Sequence, residues 1–191
     1  AREVGVDMIE FDVRAWRGEL VLAHTVLDAR LGRSLPLHDA LQHLAGGPFA
    51  GIDLNVDLKH VGCEGALLDE LKRVALLDRT LISSQVPAVI DRVRKLEPRA
   101  RVGISVGGKL PRFYHRWGDW RVQVLAGLAR QRWDTLMAQH KLIDGWLLDA
   151  VADRGGQLYA WTVNERHAIE SLRGLGVHGI TTADPRLFAP A

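Results

Sequence analysis

Short apolar runs that read as β-strands alternate along this chain with segments of helical periodicity, and this alternation restricts the fold more than any other feature. The strand-like runs are 6–13, 19–23, 51–58, 80–84, 101–105, 134–139, 157–163 and 178–182. The helical patterns are 37–44, 64–76, 87–96, 120–130, 142–152 and 165–175. Strands that alternate with helices are typical of βα units and predict an α/β fold with a parallel sheet.

The first two strand-like runs are separated only by residues 14–18, which are too few for a crossover helix. We therefore predict that they form an antiparallel hairpin, which leaves seven strands that can be parallel. Because polar residues recur at the ends of several different strands, this pattern fits a TIM (β/α)8-type barrel that lacks one unit better than a doubly wound sheet. A doubly wound sheet that binds a dinucleotide typically has a GxGxxG motif after a strand, and this sequence has none.

The chain has 191 residues, enough to bury one sizeable core, so we expect a single barrel domain over residues 1–191. Its first residues resemble the end of an amphipathic helix with no N-cap before it. The sequence therefore predicts that the first β-α unit of the barrel is missing from this chain, which would leave the domain incomplete at its N-terminus.

Composition argues against several classes of protein. The formal net charge is only +2, and the arginine-rich stretch 112–132 is broken by apolar residues at helical spacing. We interpret that stretch as a solvated helix face and expect no nucleic-acid partner. No apolar run reaches the length of a transmembrane helix, and no signal peptide is visible. The single cysteine, Cys63, excludes an internal disulfide and favours a reducing, cytoplasmic compartment.

Two pairs of charged residues occupy neighbouring positions on predicted strands. Glu10 and Asp12 lie two residues apart, so both side chains project to the same face, and Asp57 and Lys59 repeat this geometry. Acidic side chains in an apolar strand are costly unless a cation or partner neutralises them. Three carboxylates match Mg²⁺ or Ca²⁺ better than zinc, so they predict one such divalent cation. An ion-paired acidic patch, with Lys59 as its partner, is the alternative interpretation.

Two further residues lie where strands end. His24 follows the second strand-like run and is either a structural residue or a proton-transfer group. Trp161 ends another strand and is either a core aromatic residue or the wall of a pocket. Combined with the carboxylates and Lys59, His24 suits metal-assisted chemistry on a small-molecule phosphodiester.

Motifs along the whole chain resemble those of the glycerophosphodiester phosphodiesterases. They occur in order at residues 5–13 (GVDMIEFDV), 22–30 (LAHTVLDAR), 35–37 (LPL), 56–59 (VDLK), 82–84 (ISS), 161–164 (WTVN) and 179–185 (GITTADP). The resemblance implies a TIM-barrel phosphoric diester hydrolase. Such an enzyme would hydrolyse glycerophosphodiesters to glycerol 3-phosphate and an alcohol, with a divalent cation and two histidines as general acid and base.

The resemblance also implies roles for individual residues. The metal ligands would be Glu10, Asp12 and Asp57, and His24 would be one of the two catalytic histidines. Lys59 would act in catalysis by pairing with the phosphate, and Trp161 would line the substrate pocket. Asp57 stands where the family usually has glutamate. The family's first strand, with its His-Arg-Gly motif, is absent, so the second histidine is not expected in this sequence.

Two other functions stay open at this point. One is a phospholipase D-like enzyme that acts on lysophospholipids or sphingolipids, for which an apolar barrel mouth is expected. Candidates for such a surface are Leu110, Phe113, Tyr114 and Trp117. The other is a non-catalytic phosphodiester-binding protein, which the absence of the first strand's histidine would favour.

Overall fold

The computed structural model describes residues 5–32, 34–108 and 120–189. These residues contain eight strands and seven α-helices. The strands are β1 (Met8–Trp16), β2 (Glu19–Leu22), β3 (Asp53–Leu58), β4 (Thr80–Ser84), β5 (Arg101–Val106), β6 (Thr135–Gln139), β7 (Gln157–Trp161) and β8 (Gly179–Ile180). The helices are α1 (Val26–Arg30), α2 (Leu37–Ala45), α3 (Glu64–Arg73), α4 (Pro87–Leu96), α5 (Trp120–Ala129), α6 (Gly145–Ala152) and α7 (Arg166–Leu175).

The described residues group into two compact units, one that ends at Val102 and one that begins at Gly103. In the first unit the strands are hydrogen-bonded in the order β2-β1-β3-β4, with β2 antiparallel and the others parallel. In the second unit the order is β5-β6-β7-β8, with parallel pairs. The predicted hairpin and the predicted parallel βα units are therefore confirmed. The single barrel domain over residues 1–191 stays a prediction.

A tight turn joins the hairpin strands. Arg17 and Gly18 both have positive φ angles, of 50° and 88°, as a two-residue hairpin turn requires. Because the turn is so short, β1 continues to Trp16, three residues past the end that the sequence predicted. β1 therefore has two parts: Met8–Val13 pairs with β3, and Val13–Trp16 pairs with β2.

The helices pack their apolar faces against the strands. In the second unit, Ile169 and Leu172 of α7 form a core cluster with Ala160 of β7 and Val163. In the first unit, α4 begins at Pro87, a residue that is favoured in the first turn of a helix, and buries Val89, Ile90 and Val93. Within the described ranges, no helix is both long and apolar enough to cross a membrane.

An arginine holds the chain that leads into β3. The guanidinium of Arg79 donates hydrogen bonds to the carbonyl oxygens of Leu44 at 2.7 Å, Phe49 at 2.9 Å and Ile52 at 2.6 Å. Leu44 lies in the last turn of α2, and Phe49 and Ile52 lie between α2 and the start of β3. The clamp fixes the position at which β3 begins, and β3 carries part of the candidate site.

Candidate active site

The three predicted carboxylates lie together on two neighbouring strands. β1 and β3 pair in parallel with Asp12 opposite Asp57 and Glu10 opposite Asn55, so all four side chains share one face of the sheet. One carboxylate oxygen from each of Glu10, Asp12 and Asp57 lies within 4.8 Å of the other two. In the described part of the chain, no other group of three His, Cys, Asp or Glu residues meets this spacing.

Lys59, the first residue after β3, provides a positive charge beside this acidic cluster. Its ammonium lies 2.7 Å from Oδ2 of Asp57 and forms a second ion pair with Asp12. The side chain is only 16% exposed. Burial opposes its charge, but the carboxylates of Asp57 and Asp12 outweigh burial and raise the pKa of the Lys59 ammonium. The predicted ion pair is therefore present, yet one ammonium does not balance three carboxylates.

The protonation of the carboxylates reflects this imbalance. Burial, and then the charges of Asp12 and Asp57, raise the pKa of the Glu10 carboxyl to about 7. Burial also raises the pKa of Asp57, although Lys59 opposes the shift. In addition, Oδ1 of Asp57 is buried and has no hydrogen-bond partner among the described residues. A buried oxygen without a partner and raised carboxyl pKa values both indicate a missing positive charge. These hard oxygen donors therefore fit a divalent cation such as Mg²⁺ or Ca²⁺.

Two buried polar residues, Asn55 of β3 and Ser83 of β4, lie next to the acidic cluster. Asn55 and Ser83 are each only 2% exposed, and the Ser83 hydroxyl donates to Oδ1 of Asn55 at 2.9 Å. Ser83 is the register partner of Asp57, so this bond ties β3 to β4 at the level of the site. Sequence reasoning missed Asn55, although its place two residues before Asp57 on the same strand face was an available signal.

The hairpin brings His24 to the same place. The Ala23 amide donates to the carbonyl of Asp12 at 3.0 Å, so the next residue, His24, emerges beside the carboxylates. His24 is close enough to Asp57 to affect the pKa of that carboxyl. Burial raises the pKa of Asp57, whereas Lys59 and, to a smaller extent, His24 lower it. The His24 side chain is exposed.

The backbone around His24 is held on both sides. Nε of Arg14 donates to the His24 carbonyl at 3.1 Å. The next residue, Thr25, is the N-cap of α1 and forms a capping box with Asp28: the Thr25 hydroxyl accepts from the Asp28 amide, and the Asp28 carboxylate accepts from the Thr25 amide. These contacts hold the backbone on both sides of the His24 side chain and do not use its ring nitrogens.

Trp161 lies elsewhere in the chain, as the last residue of β7 in the second unit. The ring is half-buried, and its Nε1 is buried without a hydrogen-bond partner in the described residues. The structure thus brings together five of the six predicted site residues within the first unit. The apolar candidates Leu110, Phe113, Tyr114 and Trp117 lie outside the described residues.

The family of the chain follows from a comparison of its sequence with known families. Residues 54–187, more than two thirds of the chain, match the model of the Glycerophosphoryl diester phosphodiesterase family. The chain belongs to this family. The resemblance predicted from the motifs is therefore confirmed, and with it membership in a family of phosphoric diester hydrolases. Asp57, Lys59 and Trp161 lie inside the matched range, whereas Glu10, Asp12 and His24 precede it.

One curated relative is the glycerophosphodiester phosphodiesterase GDPD4 of Arabidopsis thaliana, which is 39% identical over 49 residues. That stretch is 26% of this chain and 15% of the relative, so the chain matches only a small part of that protein's length.

Solved structures resemble the whole chain more closely in fold than in sequence. A putative glycerophosphoryl diester phosphodiesterase from Silicibacter pomeroyi has a TM-score of 0.82 at 19% identity, over 97% of this chain and 83% of that one. A putative glycerophosphodiester phosphodiesterase from Galdieria sulphuraria has a TM-score of 0.80 at 14% identity, over 97% and 85%. An Oleispira antarctica phosphodiesterase in complex with the product sn-glycerol-3-phosphate has a TM-score of 0.75 at 17% identity, over 98% and 85%. This likeness confirms the predicted α/β, TIM-barrel-type fold class.

Proposed function

We propose that this protein hydrolyses glycerophosphodiesters to glycerol 3-phosphate and an alcohol with the help of one divalent cation. The observation that carries the proposal is the cluster of Glu10, Asp12 and Asp57, in which Asp57 keeps a buried oxygen that has no partner in the part of the chain that the structure describes. Family membership supports the reaction class, and the Oleispira relative bound to its product supports the choice of glycerol 3-phosphate.

The cation would be held by Glu10, Asp12 and Asp57. When bound, it would draw electron density from the phosphoryl oxygens and offset the charge that develops at phosphorus. Asp57 reaches one methylene less far than the glutamate that the family usually has. The flexible coordination shell of Ca²⁺ accepts such a change more readily than the strict octahedron of Mg²⁺.

Lys59 supplies the fixed positive charge of the site. An ammonium group has three N–H donors, and two of them are used by Asp12 and Asp57. The third is left for an unesterified oxygen of the phosphodiester. Because the site is partly buried, this contact stabilises the extra charge of the transition state more than it would in water.

His24 would transfer the proton that the reaction requires. It would be one of the two histidines that share this work: as a base it would take the proton of the attacking hydroxyl or water at a ring nitrogen, or as an acid it would give a proton to the departing alkoxide. Arg14 and the Thr25–Asp28 capping box hold its backbone and do not engage the ring nitrogens that this transfer would use.

Hydrolysis by the purified protein tests the proposal. Release of glycerol 3-phosphate from glycerophosphocholine should require Mg²⁺ or Ca²⁺ and should stop on addition of EDTA. Asp57→Ala and His24→Ala should abolish most of the release. The matched controls Asp69→Ala, an exposed acid on α3, and His167→Ala, whose side chain is 79% exposed on α7, should not change it. Binding of glycerol 3-phosphate without any release would instead assign a non-catalytic phosphodiester-binding role.

An exposed apolar segment favours a second candidate function, a phospholipase D-like reaction on lysophospholipids. Directly after His24, the side chains of Val26, Leu27, Leu31 and Leu35 are 52%, 61%, 58% and 49% exposed. Four exposed apolar residues thus lie within ten positions of the chain, and exposed apolar surface is typical of binding sites when it is contiguous. An acyl chain attached to the diester would find apolar contacts next to the proposed proton-transfer group.

The two substrates can be separated by one variant. If the acyl chain binds this segment, Leu27→Ser should lower kcat/KM for lysophosphatidylcholine and leave kcat/KM for glycerophosphocholine unchanged. Leu96→Ser on α4, which changes an equally exposed leucine (56%), serves as the control. An equal effect of Leu27→Ser on both substrates would argue against the lipid substrate.

A further inference from the structure

In the first unit, β1 extends beyond its neighbour β3, and one backbone donor of β1 then faces no strand of the described sheet. β3 ends at Leu58, opposite Val13, whereas β1 continues past that point. The Ala23 amide donates to the carbonyl of Asp12, and the alternation along the antiparallel pair then turns the Ala15 N–H away from β2. This N–H therefore points to the side on which β3 has already ended.

The side chain of His60 takes the place of the next strand residue. Its Nε2 accepts the Ala15 N–H at 3.1 Å, so the imidazole adds one hydrogen bond to the ladder between β1 and β3. An amide N–H can only donate, which requires a lone pair on Nε2 and places the ring proton on Nδ1. The Val61 carbonyl lies 3.1 Å from Nδ1 and accepts a hydrogen bond from it. Both ring nitrogens are therefore satisfied in the same neutral tautomer.

The loop that carries His60 is also held at both of its ends. At its start, the Lys59 amide donates to the Val13 carbonyl at 3.1 Å. At its end, the carboxylate of Glu64, a residue that is only 3% exposed, accepts the Gly62 amide at 2.8 Å. The His60 ring makes its contact between these two anchors, so it joins the middle of the loop to β1.

His60 connects two parts of the candidate active site. Lys59, which carries the proposed phosphate contact, is the residue directly before it. Its partner Ala15 directly follows Arg14, whose Nε donates to the His24 carbonyl at 3.1 Å. The hydrogen bond between Ala15 and His60 thus links the loop of the lysine to the strand segment that holds the backbone of His24.

We propose that His60 is a positioning residue, which fixes the place of Lys59 relative to His24 through its hydrogen bond with Ala15. The proposal deepens the function proposed above and rests on it. A lysine that binds the phosphate and a histidine that moves the proton act on one substrate, so the rate depends on their relative placement. Loss of the bond should therefore lower kcat more than it changes KM.

Hydrogen exchange of the Ala15 amide tests the bond without any turnover. In His60→Phe, which keeps a ring but has no acceptor, this amide should exchange roughly three- to tenfold faster than in the wild type. His60→Ala, which adds no bulk, should give the same result. In His60→Gln, whose Oε1 can accept the same N–H, the slow exchange should return. His167→Phe, at a histidine whose side chain is 79% exposed on α7, is the matched control and should leave the exchange unchanged.

Steady-state kinetics with glycerophosphocholine test the positioning role. His60→Phe and His60→Ala should each lower kcat by roughly three- to tenfold, the usual effect of one neutral hydrogen bond on an equilibrium, with a smaller change in KM. His60→Gln should restore the wild-type kcat. A thermal unfolding curve of each variant ensures that only proteins folded at the assay temperature are compared.

The possible results separate the inference from the proposed function. If the Ala15 amide exchanges equally fast in the wild type, His60→Phe and His60→Ala, the bond is absent and the inference is wrong. If the exchange is faster but kcat is unchanged, or if kcat falls and His60→Gln does not restore it, the inference is wrong and the proposed function stands. If the wild type releases no glycerol 3-phosphate while the Ala15 exchange follows the expected pattern, the proposed function fails and the inference fails with it.

Discussion

Binding of a divalent cation to the acidic cluster should displace a proton from Glu10. In the metal-free protein, burial and the neighbouring carboxylates of Asp12 and Asp57 raise the pKa of Glu10 to about 7. Only the carboxylate form ligates a hard cation, so proton and cation compete for the same oxygens. The raised pKa means that the competing proton is bound below about pH 7 and is lost as the pH rises above it.

The size of the effect follows from this pKa. With a pKa of about 7, Glu10 is roughly nine-tenths protonated at pH 6 and one-tenth protonated at pH 8. Each bound cation should therefore release about 0.9 proton at pH 6 and about 0.1 proton at pH 8. The apparent affinity for the cation should be about tenfold weaker at pH 6 than at pH 8. The pKa of Asp57 is raised as well, so Asp57 can only add to this release.

Isothermal titration calorimetry measures both quantities. Titrations with Mg²⁺ and Ca²⁺ in two buffers of different ionisation enthalpy give the number of protons released at each pH. In Glu10→Gln, which cannot ionise, the tenfold pH dependence should disappear and the remaining affinity should be weak. Asp69→Asn, at an exposed acid outside the cluster, is the control and should behave as the wild type does.

Two results would refute this reasoning. The first is cation binding at pH 6 with no release of protons, which would mean that Glu10 is already ionised or is not a ligand. The second is a Glu10→Gln variant that keeps the full pH dependence, which would assign the proton to another group.

Four further outcomes are expected from the same structure. His24→Asn should lower turnover of a glycerophosphodiester by roughly two orders of magnitude or more, with an unchanged thermal unfolding curve. Asp57→Ala should weaken cation binding in calorimetry, whereas Asp57→Glu should keep it, because it restores the residue that the family usually has. Lys59→Met should lower the free energy of unfolding by up to about 3 kcal/mol in chemical denaturation, since two carboxylates lose their partner, and added Ca²⁺ should restore part of the loss. Gly127→Ala should lower the free energy of unfolding by about 1–3 kcal/mol in the same assay, because the new Cβ would lie 1.9 Å from the ring of Trp133.

Much of the acidic site could be predicted because strand geometry is simple. Side chains two residues apart share a face, and parallel neighbours end at the same edge of a sheet, so Glu10, Asp12, Asp57 and Lys59 had to meet if β1 and β3 were adjacent. The sequence also predicted α4 from 87 to 96, since Pro87 marks a helix start and the apolar spacing is regular.

Other features depend on local contacts that residue types do not reveal. α1 has only five residues, too few for a 3.6-residue periodicity, and depends on the capping box of Thr25 and Asp28. The hairpin turn places Arg17 at positive φ, a conformation that arginine does not favour, so the pattern did not predict that β1 reaches Trp16.

The division of the chain at Val102 has a consequence for how new specificities could arise in this protein. The residues proposed to hold the cation, bind the phosphate and move the proton all precede Val102. The proposed reaction chemistry is thus encoded in one continuous stretch of the gene. Recombination or drift in the later stretch can change the rest of the protein while every proposed cation ligand is inherited unaltered.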